Sequence, residues 1–245
     1  MKGVILAGGL GTRLHPLTKA TNKHLLPVGR EPMLYHAIRQ IRGAEITDIL
    51  VVTSTSHMGD VVQCLGSGEE FGCNLSYKVQ ENAAGIAHAL ALAETFARGE
   101  KICVILGDNI FERSVAPYVE AFKRQRIGAR VLLKEVGDPE RYGVAALDEH
   151  QILDIEEKPE NPRSTFAVVG LYFYDEQVFD IIRGIDYSER GELEITAVNN
   201  AYIARRQLEY SICQGRWTDA GTFESLFEAN RILMENDNGI LANGS

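Results

Sequence analysis

Three short apolar runs limit what this chain can fold into: Gly3–Leu6, Asp48–Thr53 (DILVVT) and Ile102–Leu106 (ICVIL). Each is too short for a buried helix and reads as a buried strand. Helical patterns lie between and after them. Pro32–Ile41 (PMLYHAIRQI) opens on proline and repeats apolar residues at helical spacing. Gly85–Ala97 is rich in alanine, Val115–Arg126 reads as a helix, and Arg130–Val136 is a further strand. This βαβα order predicts a parallel sheet with helices on both faces. After about Gly137 short strands dominate, at Val144–Leu147, Ile152–Glu156 and Phe166–Tyr174. Helices return at Glu176–Arg183, Leu193–Arg206 and Thr222–Glu235. No Gly/Ser-rich linker separates the blocks, so the middle one is expected to be a subdomain built on the same sheet.

The first strand runs into ILAGGLGTRLHPLT (Ile5–Thr18), where three glycines fall in four positions and Arg13 follows. Glycines after a strand let an anion approach backbone N–H groups, because no Cβ intervenes. A P-loop would need a Gly-Lys pair, and the sequence has none. The dinucleotide fingerprint would need a third glycine where Leu14 stands, and Pro16 opposes a helix starting directly after the loop. The segment therefore reads as a phosphate cradle of neither type. A tight turn that merely happens to be glycine-rich is the plainer alternative; Arg13 and then Lys23 in the same polar stretch favour the cradle.

Charge narrows the partners. The net charge of −9 over 245 residues opposes binding to nucleic acid, while a small anion can still be held by local cations. No segment approaches the ~18 apolar residues of a membrane span, and MKGVILAGG is too short for a signal peptide. The four cysteines, Cys64, Cys73, Cys103 and Cys213, have no zinc or redox spacing and suit a reducing cytosol, so a cytoplasmic protein is expected.

Motifs along nearly the whole chain carry a resemblance. LAGGLGTRLHPLT is followed by Lys23-His24-Leu25-Leu26-Pro27-Val28. Then come Leu106-Gly107-Asp108-Asn109, Pro139-Glu140-Arg141-Tyr142-Gly143-Val144, Glu156-Glu157-Lys158-Pro159, Gly170–Asp175 (GLYFYD), Arg190–Thr196 (RGELEIT) and Trp217–Thr222 (WTDAGT). Together and in this order they resemble the sugar-phosphate nucleotidyltransferases, above all the branch that uses dTTP and glucose 1-phosphate. The resemblance implies an α/β, Rossmann-like, mostly parallel sheet with helices on both faces and an inserted sugar-binding subdomain. One domain over 1–245 is expected, with a nucleotide-binding core of about 1–136 plus 217–245 and a sugar-binding part of about 137–216. It also implies an enzyme in which a sugar 1-phosphate attacks the α-phosphorus of a nucleoside triphosphate, with Mg²⁺ as cofactor, sugar-nucleotide supply for a bacterial surface polysaccharide as its setting, and a homo-oligomer as its assembly.

Residue roles follow from the same match. The loop residues Leu6, Gly8, Gly9, Gly11, Thr12 and Arg13 would hold the nucleotide together with Lys23. Lys19 and Lys23 are indistinguishable by composition; the family's K-x-L-x-P pattern selects Lys23. Arginine grips phosphate oxygens as a planar fork and lysine acts as a point charge. Gln80 and Gly85, in QENAAG, would meet the base, since an amide offers donor and acceptor to a pyrimidine edge. Asp108, after the strand ICVILG, and Asp219, after Trp217, would be the Mg²⁺ ligands. Without the resemblance both would pass for turn residues. Lys158 and Arg190 would grip the sugar phosphate, Glu157 would accept from sugar hydroxyls, and Asn109, Tyr142, Gly143 and Val169 would be neighbours. Arg13, Lys23, Asp108 and Lys158 form the expected catalytic set.

Two departures bear on this. His24 replaces a glutamine common in the family, close to the nucleotide. The chain ends shortly after Phe223–Glu235, whereas longer members carry further helices associated with a regulatory nucleotide site; either feedback of that form is expected to be lacking or the assembly is expected to differ. UTP or another sugar phosphate remains open as substrate, and a catalytically silent nucleotide-binding subunit is the reading from a different class.

Overall fold

The apolar runs lie side by side at the centre of a nine-stranded sheet. The computed structural model describes residues 1–149 and 151–242. Strand β1 (Lys2–Ala7) lies near the middle, and the short ribbon β2 (Pro27–Val28) and β3 (Glu31–Pro32) follows it in sequence. Strands β4 (Asp48–Ser54) and β6 (Ile102–Leu106) flank β1, both parallel to it, and β5 (Asn74–Gln80) extends the parallel set beyond β4. β5 alternates exposed and half-buried residues, so a search for continuous apolar runs passes over it.

The middle block continues the same sheet. Strand β11 (Phe166–Tyr174) pairs antiparallel with β6, β8 (Ala129–Glu135) and β9 (Gly143–Leu147). Strand β10 (Ile152–Glu157) pairs antiparallel with β9, and β12 (Leu208–Ile212) runs parallel to β8. The short strands β7 (Asn109–Phe111) and β13 (Trp217–Asp219) pair with each other off the main sheet.

Helices cover both faces, as alternation in the strands requires. Val4, Leu6, Val52, Val104 and Tyr172 point to one core, shared with α3 (Ile86–Ala91), α4 (Glu94–Ala97), α6 (Val178–Gly184) and α7 (Ile195–Ala204). Ile5, Val51, Ile105 and Leu171 point to the other, against α1 (Met33–Gly43), α2 (Met58–Leu65) and α5 (Ala116–Arg124). Helix α8 (Phe223–Ala242) buries Ala229 and Ile232 against Val28, Met33 and Ile110. The expected single helix over Gly85–Ala97 is instead two short helices. Ala93 N–H donates to the Leu90 carbonyl in a tightened turn, and Arg98 closes the second piece in the left-handed region. Residues 243–245, the end of the expected 217–245 segment, lie outside the described residues. Among the described residues no helix is long and apolar enough to cross a membrane.

Candidate active site

Leu6 and Leu106 are register partners on the parallel strands β1 and β6. Their carboxyl ends therefore open at one place, where α/β sheets bind ligands. A cleft of about 340 Å³ lies there. It is lined by Leu6, Gly8, Gly9, Arg13, Lys23, Gln80, Gly85, Asp108, Asn109, Tyr142, Gly143, Glu157, Lys158 and Asp219. Residues spread over more than 200 positions of sequence thus share one surface.

The glycine loop owes its bareness partly to its neighbours. A Cβ on Gly8 would lie 2.5 Å from Gln80 Oε1, and one on Gly9 would lie 3.3 Å from Lys23 Cε. The loop leaves the room that these two side chains fill. Lys19 is exposed and does not line the cleft, whereas Lys23 does. The ammonium of Lys23 donates to Asp108 Oδ2 at 2.5 Å. Burial works to raise the Asp108 carboxyl, but Lys23, helped by the Asn109 amide, outweighs it and holds the group well below the usual carboxylate range. Gln80 Nε2 donates to the Gly85 carbonyl at 3.3 Å and to His88 Nδ1 at 3.0 Å. Its donors are therefore turned inward in this conformation, and its oxygen faces Gly8.

Asp219 reaches the same cleft through the β7–β13 pairing, and Ala220 N–H donates to the Asp108 carbonyl at 2.7 Å. Asp219 Oδ1 accepts from Arg141 Nη2 at 3.1 Å and from the Tyr142 hydroxyl at 3.0 Å. Burial, and then the negative charge of Asp108, raises the Asp219 carboxyl above its ordinary value. The two carboxylates thus feel each other, and each is held by a cation. Among the described residues no group of three or more His, Cys, Asp or Glu side chains is placed to hold a metal ion. A pair of carboxylates with phosphate and water completing the shell suits Mg²⁺, so the donor set fits that ion.

At the other end of the cleft, Glu157 Oε2 accepts from the Thr196 hydroxyl at 2.5 Å, and Lys158 Nζ lies 3.8 Å from Glu157 Oε1. A Cβ on Gly143 would approach Thr196 Oγ1 to 3.2 Å, so a bare backbone keeps this corner open. Lys158 holds φ at 47°, in the left-handed region, which costs about 1 kcal/mol or more for a residue with a Cβ. Asn109 braces the centre. Its Oδ1 accepts from Gly170 N–H at 2.9 Å and Trp217 Nε1 at 2.8 Å, and its Nδ2 donates to Asp108 Oδ1 at 2.9 Å.

Four expected residues do not line the cleft. Val169 is fully buried in the opposite core beside Leu171, because strand alternation turns Val168 and Gly170 toward the cleft and Val169 away. Arg190 is held by its own loop, with Nη2 donating to Glu192 at 2.9 Å and Nε to Glu194 at 3.2 Å. Two carboxylates close in sequence therefore hold it beside the cleft, at whose edge Glu192 stands. Gly11 and Thr12 sit beyond the lining. Gly11 has φ 64°, and a Cβ there would come within 2.9 Å of Lys23 Cβ, so it shapes the loop over Lys23. Cleft residues outside the expected set include Arg141, Gly170, Tyr172, Glu192, Thr196, Asn199 and Trp217, and His24, which the resemblance puts close to the nucleotide, lines the cleft as well. Arg141, Gly170, Tyr172, Glu192, Thr196 and Trp217 belong to the motifs quoted above, which gave the signal without saying which members face inward.

His24 is locked as a neutral ring. It is buried, its backbone N–H donates to Asn22 Oδ1 at 2.8 Å, and Nδ1 donates to the same oxygen at 2.7 Å. Burial, and then the Lys23 ammonium, lowers its pKa to about 3. In the unfolded chain the ring protonates near 6.5. The unfolded state therefore takes up the proton first. Stability from this group is complete above about 6.5 and declines as pH falls toward about 3, with a slope of up to ~1.4 kcal/mol per pH unit. NMR of the His24 Cε1–H is expected to show no titration between neutral pH and about 5, and His24→Gln should flatten this part of the stability profile. A midpoint in the ordinary imidazole range would contradict the locked ring.

An open α/β sheet with bare glycines, two cations and two acidic side chains gathered at one cleft has the arrangement of a nucleotide-handling enzyme. Residues 2–236 match the nucleotidyl transferase family. The glucose-1-phosphate thymidylyltransferase of Neisseria meningitidis serogroup A is 42% identical over 94% of this chain and 81% of its own length. That of Xanthomonas campestris is 43% identical over 95% and 80%. A Bacillus anthracis protein assigned as a glucose-1-phosphate thymidylyltransferase, solved with sucrose, superposes with a TM-score of 0.92 at 55% identity, covering 95% of this chain and 94% of that one. A UDP-glucose pyrophosphorylase with UDP-glucose shares the fold at a TM-score of 0.84 and 24% identity, covering 96% and 98%. The chain belongs to the nucleotidyl transferase family, and its chemistry is nucleotidyl transfer.

Proposed function

We propose that this enzyme transfers a thymidylyl group from dTTP to glucose 1-phosphate and releases pyrophosphate. The observation that carries this reading is one cleft with a cationic, acidic-paired end at the glycine loop and a hydroxyl-accepting end at Glu157. The relatives named for this activity support the choice of substrates.

Both reactants are anions, so catalysis is mainly positioning and electrostatics. A phosphate oxygen of the sugar phosphate attacks the α-phosphorus in line, and the bond from that phosphorus to the β-phosphate oxygen breaks. The attacking oxygen is already ionised, so no general base is needed. Arg13 and Lys23 hold the triphosphate over Gly8 and Gly9, Lys23 exchanging part of its hold on Asp108 for phosphate oxygens. Lys158 draws in the sugar phosphate. Glu157, with one oxygen fixed by Thr196, accepts from sugar hydroxyls. Asp108 and Asp219 would hold Mg²⁺, which when bound neutralises phosphate charge and polarises the α-phosphate.

Pyrophosphate release with glucose 1-phosphate and Mg²⁺ tests this, comparing dTTP with UTP and with a control lacking sugar. Release that requires the sugar and is faster with dTTP is the expected result. Faster release with UTP would keep the mechanism and reassign the nucleotide, since a single methyl group is worth only about 1–3 kcal/mol in a pocket. Absence of release with either would overturn the proposal.

A further inference from the structure

We propose that Asn199 determines sugar specificity, its amide nitrogen donating a hydrogen bond to one hydroxyl of the bound sugar; this rests on the sugar-phosphate reading above. Asn199 lies on α7, three residues after Thr196, and so on the same helix face. It is 1% exposed and yet lines the cleft. An amide offers an acceptor oxygen and a nitrogen with two donors. The oxygen is spoken for: the Tyr174 hydroxyl donates to Asn199 Oδ1 at 2.6 Å. Tyr174 is itself immobilised, with ring centroids 6.2 Å from Tyr172 and 5.7 Å from Tyr202. With the Tyr174 hydroxyl as donor, the amide nitrogen is the end left for another partner. The nitrogen is buried and has no partner among the described residues.

A buried donor left unpaired is unfavourable, and native structures keep few of them. Asn200, the next residue, shows the ordinary arrangement. Its Oδ1 accepts from Ile155 N–H at 3.0 Å and its Nδ2 donates to the Ile155 carbonyl at 2.8 Å. Asn200 ties α7 to β10, whereas Asn199 keeps its donor side unused at the cleft. Val168, Ala89 and Ile195, which line the same cleft, are apolar side chains with no acceptor to offer. Glu157 at this end is an acceptor for sugar hydroxyls, and Asn199 adds a donor. A site that supplies such a bond rejects an analogue lacking the hydroxyl far more strongly than a pocket can reject a missing methylene.

The test measures kcat/KM for glucose 1-phosphate and its 2-, 3-, 4- and 6-deoxy analogues in the wild type, Asn199→Ala and Tyr174→Phe. In the wild type one deoxy analogue is expected to lose about tenfold or more. Asn199→Ala should lose a similar factor with glucose 1-phosphate through KM for the sugar, leave KM for dTTP unchanged, and show no further loss with that one analogue. The other analogues should keep their wild-type penalties. Tyr174→Phe, which leaves Asn199 in place without its anchor, should give a smaller loss with the same selectivity, and it carries the test if Asn199→Ala does not fold. Wild-type activity with every deoxy penalty retained in both variants would overturn the assignment alone. A loss shared equally by both substrates would do the same, because it indicates a general packing role. A wild type that does not turn over glucose 1-phosphate would overturn the substrate reading and this assignment together.

Discussion

Asp108→Asn is expected to lower turnover by about a hundredfold or more, with a much smaller effect on folding. Asparagine keeps the size of the side chain and can still accept from Asn109 Nδ2, which donates to Asp108 Oδ1 in the native cleft. What disappears is the negative charge. Lys23 then loses its partner, with both side chains only 12% exposed. Removing one member of such a pair costs about 1–3 kcal/mol here, because Lys23 borders an open cleft and can reach water. One of the two carboxylates proposed to hold Mg²⁺ is lost as well. Pyrophosphate release reads the first effect and thermal melting the second. An unchanged rate in Mg²⁺ would remove Asp108 from the catalytic machinery.

Gly85→Ala is expected to damage both stability and substrate binding. Gly85 holds φ 101° and ψ 170°, a region that L-residues rarely adopt. A Cβ there would lie 2.4 Å from the Leu193 carbonyl oxygen and 2.9 Å from its nitrogen. Those are the atoms that join the two sides of the cleft: Leu193 N–H donates to the Ala84 carbonyl at 2.8 Å, and Ala87 N–H donates to the Leu193 carbonyl at 3.1 Å. Alanine must push them apart. Strain and the two weakened hydrogen bonds together are expected to cost about 2–4 kcal/mol, or roughly 5–15 °C in melting temperature for a chain of this size. Helix α7 would also shift away from Gln80, carrying Thr196 with it. The Michaelis constants for both substrates should therefore rise, about tenfold in kcat/KM. Wild-type melting and kinetics would mean that this junction relaxes without strain.

Strand positions were readable because burial on both faces demands unbroken apolar runs, and three such runs are enough to order the centre of the sheet. The half-exposed β5 and the short β7 and β13 carry no such mark. The loop chemistry was readable because consecutive glycines have few uses after a strand. Side-chain direction was not. Val169 and Gly170 are adjacent in sequence and lie on opposite faces of β11, and the strand's continuous apolar character conceals which face is which. The sequence names Arg190 as a cation for phosphate, but its pairing with Glu192 and Glu194 is visible only in the fold.

What local sequence could set in this protein is what depends on neighbours along the chain: strand or helix, the bare glycine turn, and the kind of chemistry a cluster of Lys, Arg and Asp can serve. Convergence came from packing. Lys23 meets Asp108 across 85 positions, and Arg141 and Tyr142 meet Asp219 across 78 and 77. Contacts of that range are made when the two cores close around the sheet, since hydrophobic burial is indifferent to sequence separation. The same closure leaves the Asn199 nitrogen beside the cleft without a partner, a feature of the fold's interior that no short motif could encode.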